Sequence, residues 1–360
     1  MKSNPYIEKL IRDEVRALSA YHVPDPGDAI KLDAMENPYQ FPPELVEQWL
    51  EVLKTADLNR YPDPSAEALK QQLRSAMKIP ADMGLLLGNG SDEIIQMIIM
   101  ALARPGAVVM APEPTFVMYR MIATFCNVSY TGVSLNADFG LDMPTIRAAM
   151  VEHEPAVIFL AWPNNPTGNL FAENDVIEII ENAPGLVVVD EAYTSFAEVS
   201  FMDRLGQYDN LVVMRTVSKS GLAGLRLGYL AGSDAWLNEF DKVRMPYNIN
   251  VLTQLSAKFA LEHINVLDSQ AAKLREARTD LMQSLNEVEG VSAYKSAANF
   301  ILFRIDNANE VFACLKQHDV LIKNLNPVGG ALSNCLRVTV STPEENAAFL
   351  NALRTCLRVM

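Results

Sequence analysis

Cysteine is scarce in this 360-residue chain. Cys126, Cys314, Cys335 and Cys356 are the only four, and no two have CxxC spacing. That argues against a local zinc or dithiol motif and predicts free thiols in a reducing compartment. Histidine is as sparse: His22, His153, His263 and His318 are scattered, with no HExxH or other ligand pair. No structural metal is expected from such a pattern. Positive charge is in deficit, since 30 Lys and Arg stand against 44 Asp and Glu, a formal net charge of −14. Nucleic-acid backbones attract net-basic faces, so no nucleic-acid partner is expected. Long apolar runs are missing too. The most apolar stretch, Ile94 to Ala103, is too short for a bilayer and reads as a buried helix. Met1 to Ala20 is charged and lacks the apolar core of a secretory leader. No fixed-period repeat or low-complexity tract occurs. These absences predict a cytoplasmic protein that acts on small molecules, away from membranes.

Apolar residues make up 49% of the chain and charged residues 21%, an ordinary globular balance. The length suits two domains. Short apolar runs alternate with amphipathic stretches through the middle of the chain. The predicted strands are Leu85–Leu87, Ala107–Ala111, Val128–Val133, Ala156–Trp162, Leu186–Val189, Leu211–Arg215 and Leu227–Ala231. Nearly continuous apolar strands separated by helices predict an α/β domain with a mostly parallel seven-stranded sheet flanked by helices. The last hundred residues differ. A long amphipathic helix over Ile264–Glu287 precedes strands at Asn299–Ile305, Val320–Lys323 and Cys335–Val340, with helices at Ala308–His318 and Glu344–Arg354. That is the pattern of a smaller α+β C-terminal domain. The expected division is an N-terminal arm, residues 1–40, joining the small domain; a large domain, 41–260; and the small domain, 261–360.

Four segments carry candidate chemistry. In Leu186-Val-Val-Val-Asp190-Glu-Ala-Tyr193 a carboxylate ends a buried strand, where open α/β sheets bind ligands. Such a carboxylate needs a cation or a strong hydrogen bond. A pyridinium nitrogen would serve; a strand-end cap or a metal ligand is the plainer reading. In Arg215-Thr-Val-Ser-Lys219-Ser-Gly-Leu-Ala-Gly-Leu-Arg226 a lone Lys follows a strand among small residues. Desolvation would lower its pKa and make it a nucleophile and base. Thr216, Ser218 and Arg226 are good phosphate ligands. The alternative, a basic glycine-rich surface loop, does not explain why strand, hydroxyls, Lys and Arg coincide. In Gly88-Asn-Gly-Ser91-Asp92-Glu93, Ser91 or Asp92 is expected to cap a helix whose free N–H groups form an anion site; a merely capped helix is the equal alternative. In Trp162-Pro-Asn-Asn165-Pro-Thr-Gly168 an Asn side chain sits at the sheet edge in a tight turn, which is otherwise an ordinary turn sequence.

In this order and spacing the four segments resemble the fold-type I pyridoxal-phosphate-dependent aminotransferases, from about Asp33 to the C-terminus. Further motifs are similar to the histidinol-phosphate aminotransferase branch: Met35-Glu-Asn-Pro-Tyr39, Asn59-Arg-Tyr61-Pro, Pro114-Thr-Phe-Val-Met-Tyr119 and Cys335-Leu-Arg337-Val-Thr-Val340. The resemblance implies pyridoxal 5'-phosphate (PLP) as cofactor. It assigns its covalent attachment and the proton transfer to Lys219, and the ring nitrogen to Asp190. Asn165 and Tyr193 would contact the phenolic oxygen, and Phe116 would cover the ring. Ser91, Asp92, Thr216, Ser218 and Arg226 would hold the phosphate. Tyr61 would come from the second subunit of a homodimer with composite sites. Arg337, with Asn37 and Lys323, would bind substrate. Lys323 is a departure, because the family often has Arg there and Lys lacks its bidentate fork. The implied reaction is transamination between histidinol phosphate and 2-oxoglutarate, giving L-glutamate, in histidine biosynthesis. Another amino-acid aminotransferase or a phospho-amino-acid decarboxylase of the same fold is the nearest alternative. A PLP-sensing regulator is disfavoured, since the chain has no basic DNA-binding module before Asp33.

Overall fold

The computed structural model describes residues 4–20 and 23–359; His22 lies outside them. Its strands are β1 (Ile30–Lys31), β2 (Gly84–Asn89), β3 (Val108–Glu113), β4 (Ser129–Ser134), β5 (Val157–Ala161), β6 (Leu186–Asp190), β7 (Leu211–Thr216), β8 (Leu227–Gly232), β9 (Val291–Ala293), β10 (Phe300–Ile305), β11 (Val320–Leu321), β12 (Lys323–Asn324) and β13 (Cys335–Thr339). Seven of them form one sheet in the order β2-β8-β7-β6-β5-β3-β4. From β4 to β7 every pairing is parallel, whereas β8 runs antiparallel to both β7 and β2.

The apolar runs follow from burial on both faces. Side chains alternate across a strand. Ile158, Leu160, Val187, Val189 and Val213 enter one core. Their neighbours Val157, Phe159, Val188 and Val212 enter the core on the opposite face. A strand buried twice has no place for polar alternation, so β5 and β6 are buried at every residue.

A separate core surrounds a four-stranded antiparallel sheet, β12-β13-β10-β9. The 23-residue helix Ile264–Asn286 contributes Leu274, Leu281 and Leu285 to it. The arm is tied in by parallel pairing of β1 with β11 and by a bond from the Thr339 N–H to the Leu32 carbonyl, 2.9 Å. Its earlier part reaches the large sheet's side instead. Arg12 donates to Asn127 Oδ1 at 2.8 Å and to the Phe125 carbonyl at 2.8 Å.

Three expectations need correction. The strand expected over Val320–Lys323 is two strands, because the chain changes partners at Ile322: β11 pairs with the arm and β12 with β13. The helix after β2 is capped by neither Ser91 nor Asp92. Gly90 is its N-cap, at φ 77°, with no side-chain cap. Glu93 instead reaches back to accept from the Asn89 N–H at 2.6 Å. The cysteines are not all free: Cys314 and Cys356 form a disulfide with a sequence separation of 42. Helices Ala308–Gln317 and Pro343–Val359 bring them together, a meeting that local spacing does not reveal. Cys126 and Cys335 are free. Among the described residues no helix is long and apolar enough to cross a membrane.

Candidate active site

A cavity opens where β5, β6 and β7 end and the helix Ser91–Leu102 begins. Its lining includes Ser91, Asp92, Phe116, Asn165, Asp190, Tyr193, Thr216, Ser218, Lys219 and Arg226. Ten sequence-predicted residues therefore converge, from five separate stretches of chain. Parallel strands all end at one edge, so the segments that follow them share that edge.

Asp190, the last residue of β6, is 4% exposed. Tyr119 donates its hydroxyl to Oδ2 at 2.6 Å, and the Ala192 N–H donates to Oδ1 at 3.0 Å. Burial pushes the carboxyl up to about 6, while these two bonds pull the other way. Lys219 lies in the short π-helical segment Ser218–Leu222, directly after β7. Its ammonium donates to the Ala34 carbonyl at 3.0 Å. Burial, then the guanidinium groups of Arg337 and Arg226, draw its pKa down to about 8. A base of lowered pKa and an acid of raised pKa thus face one cavity.

An anion cradle forms beside them. The helix Ser91–Leu102 lacks a side-chain cap, so its first N–H groups remain as donors. Arg226 takes a left-handed conformation, φ 48°. A Cβ on Gly90 would lie 2.5 Å from its Nη2. Arg226 also pairs with Asp92 at 3.4 Å. Burial raises the Asp92 pKa against the pull of Arg226 and Lys219. Thr216 and Ser218 bond each other at 2.9 Å and present two hydroxyls.

On the small-sheet side, Arg337 of β13 is 6% exposed. It donates to Asn165 Oδ1 at 2.5 Å and to the Asp33 carbonyl at 3.0 Å, over the ring of Phe300. Tyr193 packs edge-on against that same ring. The two sheets therefore meet through Asn165 and Arg337.

Four predicted residues, Arg337, Lys323, Asn37 and Tyr61, are not part of the cavity lining. Lys323 stands opposite Arg337 in the β12–β13 register, so the two side chains share a face. The Asn37 amide donates to Gln270 Oε1 at 2.9 Å and to the Ser220 carbonyl at 3.3 Å, behind the lysine segment. Tyr61 is 80% exposed and stacks on Tyr247 with ring centroids 4.4 Å apart. Sequence reasoning gave no role to Tyr119, Met35 or Glu191. Tyr119 is fully buried between Phe159 and Phe116. Its sequence signal is its place at the end of Pro114-Thr-Phe-Val-Met-Tyr119, three residues after Phe116. Glu191 forms a buried ion pair with Arg215 at 2.7 Å, bracing β6 to β7 directly beside Asp190.

Comparison with known proteins gives the family. The family described as Aminotransferase class I and II matches residues 27–353. A histidinol-phosphate aminotransferase 2 from Nitrosococcus oceani is 55% identical over 350 residues, covering 97% of each chain. One from Cupriavidus pinatubonensis is 56% identical over 357 residues, covering 98% of each. A solved histidinol-phosphate aminotransferase from Sinorhizobium meliloti, in complex with pyridoxal-5'-phosphate, has a TM-score of 0.86 at 22% identity, covering 97% of this chain and 98% of that one. L-threonine-O-3-phosphate decarboxylase from Porphyromonas gingivalis has a TM-score of 0.78 at 24% identity, covering 91% and 99%. Those two structural likenesses speak to the fold alone, which serves both reactions. With the sequence matches running nearly end to end, the chain belongs to the class I and II aminotransferases and, within them, to the histidinol-phosphate aminotransferases.

Proposed function

We propose that the protein transfers an amino group between histidinol phosphate and 2-oxoglutarate, using PLP, as a step of histidine biosynthesis. The observation that carries this is the placement of Lys219 and Asp190 in one cavity with the Arg226 cradle. PLP offers a ring nitrogen, an aldehyde, a phenolic oxygen and a phosphate, and the residues present match each. The partners of Asp190 are a phenol and an amide, so a protonated ring nitrogen supplies the cation that its burial calls for. Lys219 offers the amine for the aldehyde. Asn165 and Tyr193 offer donors for the phenolic oxygen. Arg226, Ser91, Asp92, Thr216, Ser218 and the helix N-terminus form the phosphate cradle.

When bound, PLP supplies a conjugated ring that accepts the electron pair left as the substrate loses its α-proton. The protein's own residues do the rest. Asp190 holds the proton on the ring nitrogen. Lys219, with its pKa near 8, is a usable base near neutral pH; it removes the α-proton and returns it at the neighbouring carbon. Phe116, in the cavity wall, would cover the bound ring and exclude water. Arg337 binds the anionic end of either substrate, with Lys323 on the same face adding charge. Asn37 positions the lysine segment from behind. Both substrates use one site in turn, so the kinetics are ping-pong.

In this reading residues 41–260 bind the cofactor, and residues 261–360, joined by the arm through Ile30–Lys31, supply the substrate side of the site. The enzyme is a cytoplasmic homodimer in which Tyr61 reaches the partner's phosphate cradle. The test is to mix the PLP-loaded protein with histidinol phosphate alone and follow cofactor absorbance. Conversion to the amine form, reversed by 2-oxoglutarate, is expected. Conversion by other amino donors but not by histidinol phosphate overturns the substrate assignment, and release of CO2 identifies a decarboxylase. Lys219→Ala abolishes turnover, and borohydride reduction followed by peptide mapping labels Lys219. A label on Lys242 or Lys323 overturns the assignment.

A further inference from the structure

Among the described residues, one cluster of ligating side chains lies outside the active site and has no part in transamination. Cys314 sits near the end of helix Ala308–Gln317, and His318 is the residue that caps that helix. Cys356 comes from the facing helix Pro343–Val359. One ligand atom from each lies within 4.8 Å of the other two. Cys314 and His318 are four residues apart, which places them on one helical face. Cys356 is wholly buried, Cys314 half-buried and His318 exposed. The cluster is thus anchored at one side and open to solvent at the other.

We propose that Cys314, His318 and Cys356 form a zinc-class metal site in the reduced protein, as the alternative to the Cys314–Cys356 disulfide. A disulfide persists only where the surroundings are oxidising. Under reducing conditions two thiol molecules transfer two electrons and two protons to the S–S bond and leave as their own disulfide. The two cysteines are then thiols side by side. Zn2+ displaces one proton from each and binds two thiolates, a neutral imidazole nitrogen of His318, and water as the fourth ligand. In tetrahedral zinc sites Zn–S is about 2.3 Å and Zn–N about 2.0–2.1 Å, which sets ligand atoms roughly 3.4–3.8 Å apart. With the two Cα atoms 5.9 Å apart, reaching that separation calls for a side-chain rotation at the half-buried Cys314. Neither ligand pattern was visible as a sequence motif, since 42 residues separate the two cysteines. Disulfide and metal would tether the same two helices, so the small sheet's outer layer keeps one cross-link in either redox state.

The experiment uses the full-length, PLP-loaded protein, either oxidised or reduced with dithiothreitol and desalted under inert gas. Zn2+ is titrated by calorimetry, and bound zinc is counted after gel filtration. One zinc per chain is expected in the reduced protein and none in the oxidised protein. His318→Ala, an exposed substitution, should weaken binding at least ~10-fold, since even residues that only orient ligands are worth about that much. Cys314→Ser should abolish it. Zinc should also raise the melting temperature of the reduced wild type and not of His318→Ala. The proposal is overturned if the reduced protein binds no stoichiometric zinc. Equal binding by His318→Ala and the wild type also overturns it, and points to adventitious binding at Cys126 or Cys335.

Discussion

Asp190 and Lys219 show how burial prepares two residues for opposite tasks. The Asp190 carboxyl is raised to about 6, above the ~3.9 of an exposed Asp. Between those values the native state binds more protons than the unfolded chain, so the cofactor-free protein loses stability as pH rises through that window. Two units correspond to about 3 kcal/mol. Asp190→Asn should therefore raise the melting temperature of the cofactor-free protein at pH 7 while slowing turnover of the loaded enzyme at least ~10²-fold. Near-normal turnover would refute the assigned role. Lys219 acts in the opposite sense. Its pKa is lowered to about 8, so its contribution to stability grows as pH rises from there toward ~10.4. Tyr119 is the control on Asp190. Tyr119→Phe removes a 2.6 Å bond to a buried charge, an interaction worth about 1.5–3 kcal/mol. Turnover should fall roughly ten-fold or more, and the acid limb of the kcat–pH profile should move to higher pH. An unmoved limb with normal kcat would show that Tyr119 only fills space.

At the scale of elements, the cradle depends on how closely β8 approaches the start of helix Ser91–Leu102. A Cβ on Gly228 would lie 2.6 Å from both the Gly90 carbonyl carbon and the Ser91 nitrogen. Both are backbone atoms, so no side-chain rotation relieves the clash. Gly228→Ala should displace the helix N-terminus, weaken cofactor binding by about an order of magnitude and lower stability by about 1–3 kcal/mol. Equilibrium dialysis with PLP and thermal denaturation measure the two effects. Preserved affinity would mean that the helix start is not part of the cradle. The strands themselves were legible, because burial on both faces imposes unbroken apolar runs such as Val187-Val188-Val189. The helix cap was not. Ser91 and Asp92 are both good cap residues, but Gly90, at positive φ, is the N-cap, so the helix starts ahead of them and both lie in its first turn.

For the whole molecule, Tyr61 is the informative residue. It is 80% exposed on its own chain and stacked on Tyr247, and Pro62 stiffens its loop. If it serves the partner's site, one site of a Lys219→Ala/Tyr61→Phe heterodimer carries both lesions and the other neither. Mixing the two weak parents should then restore about half of the wild-type activity per heterodimer. Absence of recovery, with the heterodimer verified by native mass spectrometry, would place Tyr61 in its own subunit's site or in none.

The sequence by itself determined the sheet, the order of its strands along the chain and most of the cavity. Asp190 and Lys219 each follow an apolar run that reads as a strand, and Asn165 follows the run Ala156–Trp162 in a turn. Parallel pairing then delivers strand ends to one edge. Tertiary structure alone decided what depends on contacts across long chain separations. The Tyr119–Asp190 bond spans 71 residues and the Arg337–Asn165 bond 172. The Cys314–Cys356 link joins two helices whose facing surfaces no local spacing records. Periodicity reports which face of an element is buried; it carries no information about which distant side chain waits on the other side.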